Sequence, residues 1–234
     1  MHVKNALKII EDEQAADDQN KTLIRFELYR VPFFLEPGYM DKPDDWWEPH
    51  DTRMIRKFGS KERFLQVQRA HGLVPRGAEV GLDVLGFTQD NLTNRRQSST
   101  LRSHRLVYYV AKEYSLQKSE ELYEVLNRKH FIEGSLLNDM DMLKSALEEI
   151  GGVDVARCDA FLQSSEGVEA VLRTVDMVHS MGVHSIPTLV IDGGTFVLDG
   201  ATRAGDIVTT LRKITRNSDG YSPRPRLFKE SMSF

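Results

Sequence analysis

Two short β-rich runs joined by a glycine pair set the tightest limit on the fold of this chain. The runs are residues 188–192 and 195–199, and Gly193-Gly194 stands between them. β-Branched and aromatic residues favour strands, and glycine readily adopts the positive φ that tight hairpin turns need. The pattern therefore predicts an antiparallel hairpin with a two-residue turn near the end of the chain.

Most of the remaining sequence has the periodicity of amphipathic helices. Apolar residues recur at three-to-four spacing at the start of the chain, repeatedly between residues 52 and 181, and again after Gly200. An alternating stretch at residues 22–29, which ends near Pro32, predicts one further strand. The order of helix, strand, long helical stretch, hairpin and helix predicts that both ends share one sheet and that the helical stretch is inserted between them.

The composition is that of a folded protein and excludes two kinds of partner. Hydrophobic residues make up 40% of the 234 residues, which is enough to bury a core. The net charge of −4 leaves no positive excess for binding nucleic acid or an anionic membrane. No apolar run approaches the roughly 18 residues of a spanning helix, and the first residues contain no apolar signal segment. We therefore expect no nucleic acid and no membrane among the partners.

The sequence contains one cysteine, Cys158, and seven histidines without the spacing of a metal site. One thiol cannot form an intrachain disulfide, and a structural zinc site needs several thiolate or imidazole ligands. The neighbouring Arg157 would stabilise a thiolate, but no second cysteine can resolve a mixed disulfide, so we interpret Cys158 as a small semi-buried hydrophobe. This cysteine usage indicates a reducing, cytoplasmic compartment and no metal.

Four separated parts of the sequence resemble one known family, in the same order along the chain. Residues 182–193 with 196–201 are similar to the cis-proline loop and closing hairpin of the DsbA-like thioredoxin superfamily. The other similar parts are residues 30–37, 104–106 and 161–168. The likeness is greatest to the FrnE-type branch of dithiol oxidoreductases, which is related to hydroxychromene carboxylate isomerases and kappa-class glutathione transferases.

The resemblance implies an α/β, DsbA-type thioredoxin-like fold with an inserted all-helical domain. Residues 1–51 and 181–216 are then the two thioredoxin-like parts, and residues 52–180 are the helical insertion. Residues 217–234, which are poor in branched apolar side chains, predict a largely disordered tail.

One departure from the family affects its chemistry. The redox activity of the family depends on a C-x-x-C motif at the start of the first helix, just after the first strand. The first helix of this chain matches the helix that follows that motif. We therefore expect the first β-strand and the dithiol to be missing from the chain.

The resemblance places substrate binding at the proline loop. Pro187 is expected to follow a cis peptide bond, which exposes the backbone N–H and C=O of Ile186 to an extended substrate. Ser185, Thr188 and His184 complete the expected substrate-binding set. The competing interpretations are an ordinary trans proline that begins an edge strand and a loop histidine without a role. No catalytic residue and no metal ligand are assigned.

Three functions remain open at this point. The first is a DsbA-family thiol–disulfide oxidoreductase or isomerase of which this chain retains only the cis-proline docking groove, so whether the chain is an enzyme stays undecided. The second is a kappa-like transferase or isomerase that uses glutathione, and the third is a non-catalytic scaffold for extended peptides. The expected partner is thus an extended peptide or a glutathione-like thiol. The sheet edge left by the missing strand also predicts lowered stability or a homodimer.

A cluster of arginines is the last feature of interest. Arg95, Arg96, Arg102 and Arg105 lie close together in sequence with polar residues between them. We interpret them as a solvated basic face, with the steering of an acidic ligand as the alternative.

Overall fold

The computed structural model describes residues 2–16, 24–71, 95–200 and 202–216. They form two compact units. The terminal unit comprises the described residues up to Phe33 and from Arg173 onward, and the helical unit runs from Phe34 to Leu172. The predicted tail at residues 217–234 lies outside the described residues.

The terminal unit is built on two helices and a hairpin. Its elements are α1 (His2–Ala16), the second half of α8 (Val168–Ser180), β3 (Thr188–Ile191), β4 (Phe196–Asp199) and α9 (Ala204–Arg216). Helices α1 and α9 pack together, as the apolar periodicity of both predicts. Their shared core consists of buried aliphatic side chains, namely Ala6, Ile10, Ile191, Ile207, Val208, Leu211 and Ile214. Because Ile191 ends β3 within this core, the core fixes the strand that follows the proline loop.

The hairpin is confirmed, but its turn is longer than predicted. Ile191 pairs with Phe196 as the last register pair, so four residues connect the strands instead of two. Asp192, Gly193 and Gly194 adopt φ values of 54°, 60° and 97°. The glycine pair does supply positive φ, but Asp192 joins it in the left-handed region, and this lengthens the connection.

The prediction of a strand at residues 22–29 is wrong for the part that the structure describes, residues 24–29. The Gln14 side chain takes the place of a strand partner: its amide nitrogen donates to Ile24 O at 3.0 Å, and its Oε1 accepts from Ile24 N at 2.8 Å. Ile24 and Phe26 pack on the terminal core. The alternation therefore buries apolar side chains without a ladder, and among the described residues the sheet of the terminal unit contains only β3 and β4.

The described residues of the helical unit confirm the predicted helices and add a small sheet, while residues 72–94 of the predicted stretch lie outside the described residues. Its elements are β1 (Trp47–Pro49), α2 (His50–Phe58), α3 (Lys61–His71), β2 (Arg96–Ser98), α4 (Leu101–Glu113), α5 (Leu116–Phe131), α6 (Met140–Ile150), α7 (Val155–Gln163) and the first residues of α8. The main core lies among α4 to α7 and includes Leu106, Val110, Leu122, Leu143, Leu147 and Cys158, all without exposed surface. No described helix has the length and apolar character needed to cross a bilayer.

Residues 34–51 pack with the helical unit, although the sequence assigns them to the first thioredoxin-like part. Strand β1 within them pairs with β2, and the buried Glu48 accepts hydrogen bonds from the Tyr39 hydroxyl and the Arg56 guanidinium. Burial raises the pKa of Tyr39 to about 12, and the hydrogen bond from Arg56 lowers the pKa of Glu48. Three-residue strands are too short to show an alternation, which explains why the sequence did not reveal this pairing.

Candidate functional site

The proline loop lies between the end of α8 and the start of β3. Gly182 ends the helix with a φ of 82°, and its N–H donates to His179 O at 2.9 Å. Glycine suits this left-handed position because it has no Cβ. The peptide bond between Ile186 and Pro187 is cis, as the resemblance implies.

The apex of the loop is open to solvent. His184, Ser185, Ile186 and Pro187 are all exposed, and Ile186 exposes 48% of its surface. The preceding Val183 is buried and anchors the loop. Exposure of a large apolar side chain to water is unfavourable. The exposed isoleucine next to the proline is therefore typical of a surface that another molecule covers.

Hydrogen bonds within the loop decide which backbone groups remain available. The Thr188 hydroxyl lies 2.8 Å from Ser185 O and 3.0 Å from Oδ1 of Asp199, so its one proton is shared between two acceptors. The Ser185 carbonyl is therefore occupied. Neither the N–H nor the C=O of Ile186 has a hydrogen-bond partner among the described residues. Of the expected binding groups, the structure thus leaves those of Ile186 available and uses Thr188 to brace the loop.

The first strand after the loop has one open edge. Gly200 N donates to Pro187 O at 2.8 Å, which marks a hydrogen-bonded pair at the start of the β3–β4 ladder. Hydrogen-bonded and non-bonded pairs alternate in an antiparallel ladder. In the register of these two strands Thr188 and Val190 therefore occupy non-bonded positions, and their backbone groups point away from β4. No described strand pairs with this edge.

Three rings stand side by side next to the loop. The ring of His184 stacks on that of His179 with centroids 6.1 Å apart, and His179 meets Phe33 edge-on at 5.5 Å. His184 is exposed, whereas His179 and Phe33 are half-buried. The predicted site residue His184 therefore ends a supported aromatic row, which offers a flat surface to a neighbouring side chain.

Cys158 is not part of this loop. It lies in α7 of the helical unit with no exposed surface, so it is more deeply buried than the semi-buried position expected from the sequence. Burial raises the pKa of its thiol, and the hydrogen bond with Tyr114 opposes that shift. A buried thiol with a raised pKa is a poor nucleophile.

We expect iodoacetamide at pH 8 to alkylate Cys158 at least about 100-fold more slowly in the native protein than in urea. The buried thiol reacts only when the structure around it opens, and an opening free energy of about 3 kcal/mol is enough for this ratio of rates. Mass spectrometry of timed samples measures both rates. Equal rates in the two conditions would instead identify Cys158 as an accessible nucleophile.

The interpretation of the arginines as a solvated face is wrong for Arg95, whose Nε and Nη1 are buried, and for Arg105. The Arg105 side chain is buried, and its guanidinium donates to the backbone carbonyls of Phe161, Leu162, Ser164 and Glu166 at 2.7–3.3 Å. The family-like parts at 104–106 and 161–168 therefore contact each other directly. The presence of both family-like parts in the sequence was the one signal from which this structural role of Arg105 could have been predicted.

The described residues contain no group of three or more His, Cys, Asp or Glu side chains that could hold a metal ion. The chemistry that the loop offers is accordingly that of backbone hydrogen bonds, an exposed aliphatic side chain and an aromatic row.

Comparison with known proteins agrees with this geometry. A solved structure of a probable DsbA oxidoreductase from Streptomyces coelicolor is similar to this chain with a TM-score of 0.65 and 23% sequence identity, over 94% of this chain and 87% of that one. A comparison with curated proteins gave no match. The structural likeness shows a DsbA-like thioredoxin fold, mixed α/β with mostly helices. Residues 57–212, two thirds of the sequence, match the family described as the DSBA-like thioredoxin domain, and the chain belongs to that family.

Proposed function

We propose that this protein docks extended polypeptides along the proline loop and the open edge of β3. The observation that carries the proposal is the set of alternate unpaired backbone groups at Ile186, Thr188 and Val190, beside the exposed side chain of Ile186. An extended peptide that adds to a sheet edge gains affinity from main-chain hydrogen bonds and specificity from alternate side chains. Ile186 would supply apolar contact, and His184 would support one side chain of the peptide.

Of the steps in the thiol chemistry of the family, we propose only the docking of the substrate for this chain. Thiol–disulfide exchange begins with attack by an accessible thiolate. The sequence contains one cysteine, and its thiol is buried in α7. The chain would therefore hold a substrate polypeptide, and any oxidoreductase or isomerase activity would need a dithiol that its one cysteine does not supply.

The branch of the family and the cellular location of the protein are also part of the proposal. The parts at residues 30–37, 104–106 and 161–168 support the FrnE-type branch, and the single cysteine supports a cytoplasmic location. A second copy of the chain is the competing occupant of the β3 edge, which would give a homodimer. Sedimentation velocity at increasing protein concentration, with and without peptide, distinguishes the two because a bound peptide would dissociate an edge-paired dimer.

Peptide docking predicts a matched pair of outcomes. Replacement Ile186→Ala should weaken binding roughly tenfold, since it removes most of the apolar contact at the loop apex. The control Val197→Ala removes a similarly exposed side chain, 46% against 48%, from β4 of the same hairpin and should leave binding unchanged. Fluorescence anisotropy of a fluorescein-labelled, proline-free heptapeptide with β-branched residues at alternate positions measures both affinities.

The backbone contribution has its own control. A strand pairs with a sheet edge through only one of its two sets of alternate N–H groups. Two versions of the heptapeptide, N-methylated on one set or the other, should therefore differ, with one binding and the other failing to bind. Equal binding of both, or equal affinities of the two protein variants, would contradict docking at this edge. Reduced glutathione in the same assay tests the kappa-like alternative: displacement of the peptide would favour it.

A further inference from the structure

A second polar cluster lies in the helical unit and is centred on Arg95, which stands just before β2. His50, the first residue of α2, donates its N–H to Arg95 O at 3.0 Å. The Arg95 guanidinium lies over the ring of Phe131, 4.9 Å from the centroid, and Phe131 contacts the ring of His130. Three separate elements, α2, the start of β2 and the end of α5, thus bring Arg95 close to two histidines.

The guanidinium of Arg95 lacks the partners that buried charges normally have. Its Nε and Nη1 are buried and make no hydrogen bond, and no carboxylate of the described residues forms an ion pair with it. Native proteins pair nearly all such groups because an unpaired buried charge costs several kcal/mol. The contact with Phe131 compensates only part of this cost. Arg95 as a residue is partly exposed, and its Nη2, unlike Nε and Nη1, is not one of the buried unpaired atoms.

The surroundings of Arg95 are positive. Arg53, whose positive charge acts on Arg95, is itself paired with Glu36, to which its Nε donates at 2.6 Å. Burial and the charge of Arg53 lower the pKa of Arg95 to about 10. In each of the two histidines Nδ1 is engaged, with Gln97 at 3.3 Å from His50 and Ser135 O at 2.9 Å from His130, while Nε2 has no hydrogen-bond partner among the described residues.

We propose that Arg95 binds a small oxyanion, with His50 and His130 lining the same site. A guanidinium presents pairs of parallel N–H groups along its edges, and these match two oxygens of a phosphate or carboxylate. The Nη2 group shares one edge with Nε and another with Nη1, so an anion that approaches Nη2 also satisfies a buried nitrogen. An oxyanion would in addition neutralise the excess positive charge.

Inorganic phosphate is the probe for this site. At constant ionic strength maintained with chloride, phosphate should raise the melting temperature of the wild-type protein by roughly 3–6 °C at ten times its dissociation constant. Arg95→Met should abolish this rise because it keeps the aliphatic stem and removes the donors. The matched control Arg96→Met also removes one positive charge, but from an exposed side chain that stacks on Trp47, and should respond as wild type does. Acetate in place of phosphate shows whether carboxylates share the site.

A measurement on the wild-type protein makes the test independent of how well the Arg95 variant folds. Phosphate should shift the imidazole NMR signals of His50 and His130 and leave those of His179 and His184 in place. The proposal is overturned if phosphate does not stabilise the wild-type protein more than chloride does, if Arg95→Met retains the full rise, or if only the signals of His179 and His184 move.

Discussion

Acidification from pH 7 to pH 5 in a phosphate-free buffer should lower the free energy of unfolding of the helical unit by about 4 kcal/mol, about 2 kcal/mol for each of two buried histidines. His50 and His130 expose only 8% and 6% of their surfaces. Burial, helped by the positive charges of Arg95 and Arg53, lowers the pKa of His50 to about 3. Burial also lowers the pKa of His130 to about 4, against the raising effect of its hydrogen bond to Ser135 O.

The direction follows from where the protons bind. An unfolded chain binds a proton at each histidine near pH 6.5, whereas the folded unit resists protonation until about pH 3 to 4. The stabilising contribution is therefore complete above about pH 6.5 and is lost as the pH falls towards the folded values. The hydrogen bond from Arg56 lowers the pKa of Glu48, so that carboxylate titrates at lower pH than the interval between pH 5 and 7.

The tryptophans provide a reporter that is specific for this unit. Both tryptophans of the sequence, Trp46 and Trp47, lie in the helical unit, so urea unfolding followed by their fluorescence measures that unit alone. Replacing both histidines, as His50→Asn with His130→Asn, should flatten the dependence between pH 5 and 7, because asparagine preserves a hydrogen-bonding group near Nδ1 and does not titrate. The exposed His184→Asn serves as the control and should leave the dependence intact. A double variant that remains as sensitive to acid as the wild type would contradict this explanation.

The sequence predicted those parts of the fold in which a local pattern determines the structure. The helix α1, the long helical stretch and the β3–β4 hairpin follow from apolar periodicity and from a glycine pair that adopts positive φ. The stretch at residues 22–29 failed because alternation shows only which side chains are buried. A strand also needs a partner, and the described residues 24–29 have the Gln14 side chain instead.

In the candidate site, too, the sequence predicted what a local pattern determines and missed what depends on the packing of distant segments. The proline loop was predicted through its family resemblance, and the cis bond before Pro187 agrees with it. The exposed edge of β3 could not be derived, because it depends on the register with β4. Arg95 and Arg105 look alike in sequence, yet the guanidinium of Arg95 has no hydrogen-bond partner among the described residues and that of Arg105 makes five hydrogen bonds. Only the packing of distant segments separates these two environments.

Arg105 is expected to be among the most important single side chains for the stability of the helical unit. Its guanidinium reaches from α4 to four backbone carbonyls at the end of α7 and in the turn that follows, and it lies 5.0 Å from the ring centroid of Phe161. The Phe161 carbonyl also accepts from the backbone N–H and the hydroxyl of Ser164, whereas the carbonyls of Leu162, Ser164 and Glu166 have Arg105 as their donor. Removal of the guanidinium would take the hydrogen bond from the buried carbonyl of Leu162 and from the part-buried carbonyls of Ser164 and Glu166.

We therefore expect Arg105→Met to lower the free energy of unfolding by about 3–5 kcal/mol, as measured by urea unfolding with tryptophan fluorescence. Arg105→Lys should recover only part of this loss, because three donors on a single nitrogen cannot span carbonyls that the planar guanidinium reaches from all three of its nitrogens. The matched control is Arg157→Met, which removes an exposed guanidinium paired with Glu113 at 2.6 Å and should cost less than about 1 kcal/mol. A loss at Arg105 no larger than that at Arg157 would mean that water replaces the arginine at these carbonyls, and that contact between α4 and the end of α7 does not depend on its charge.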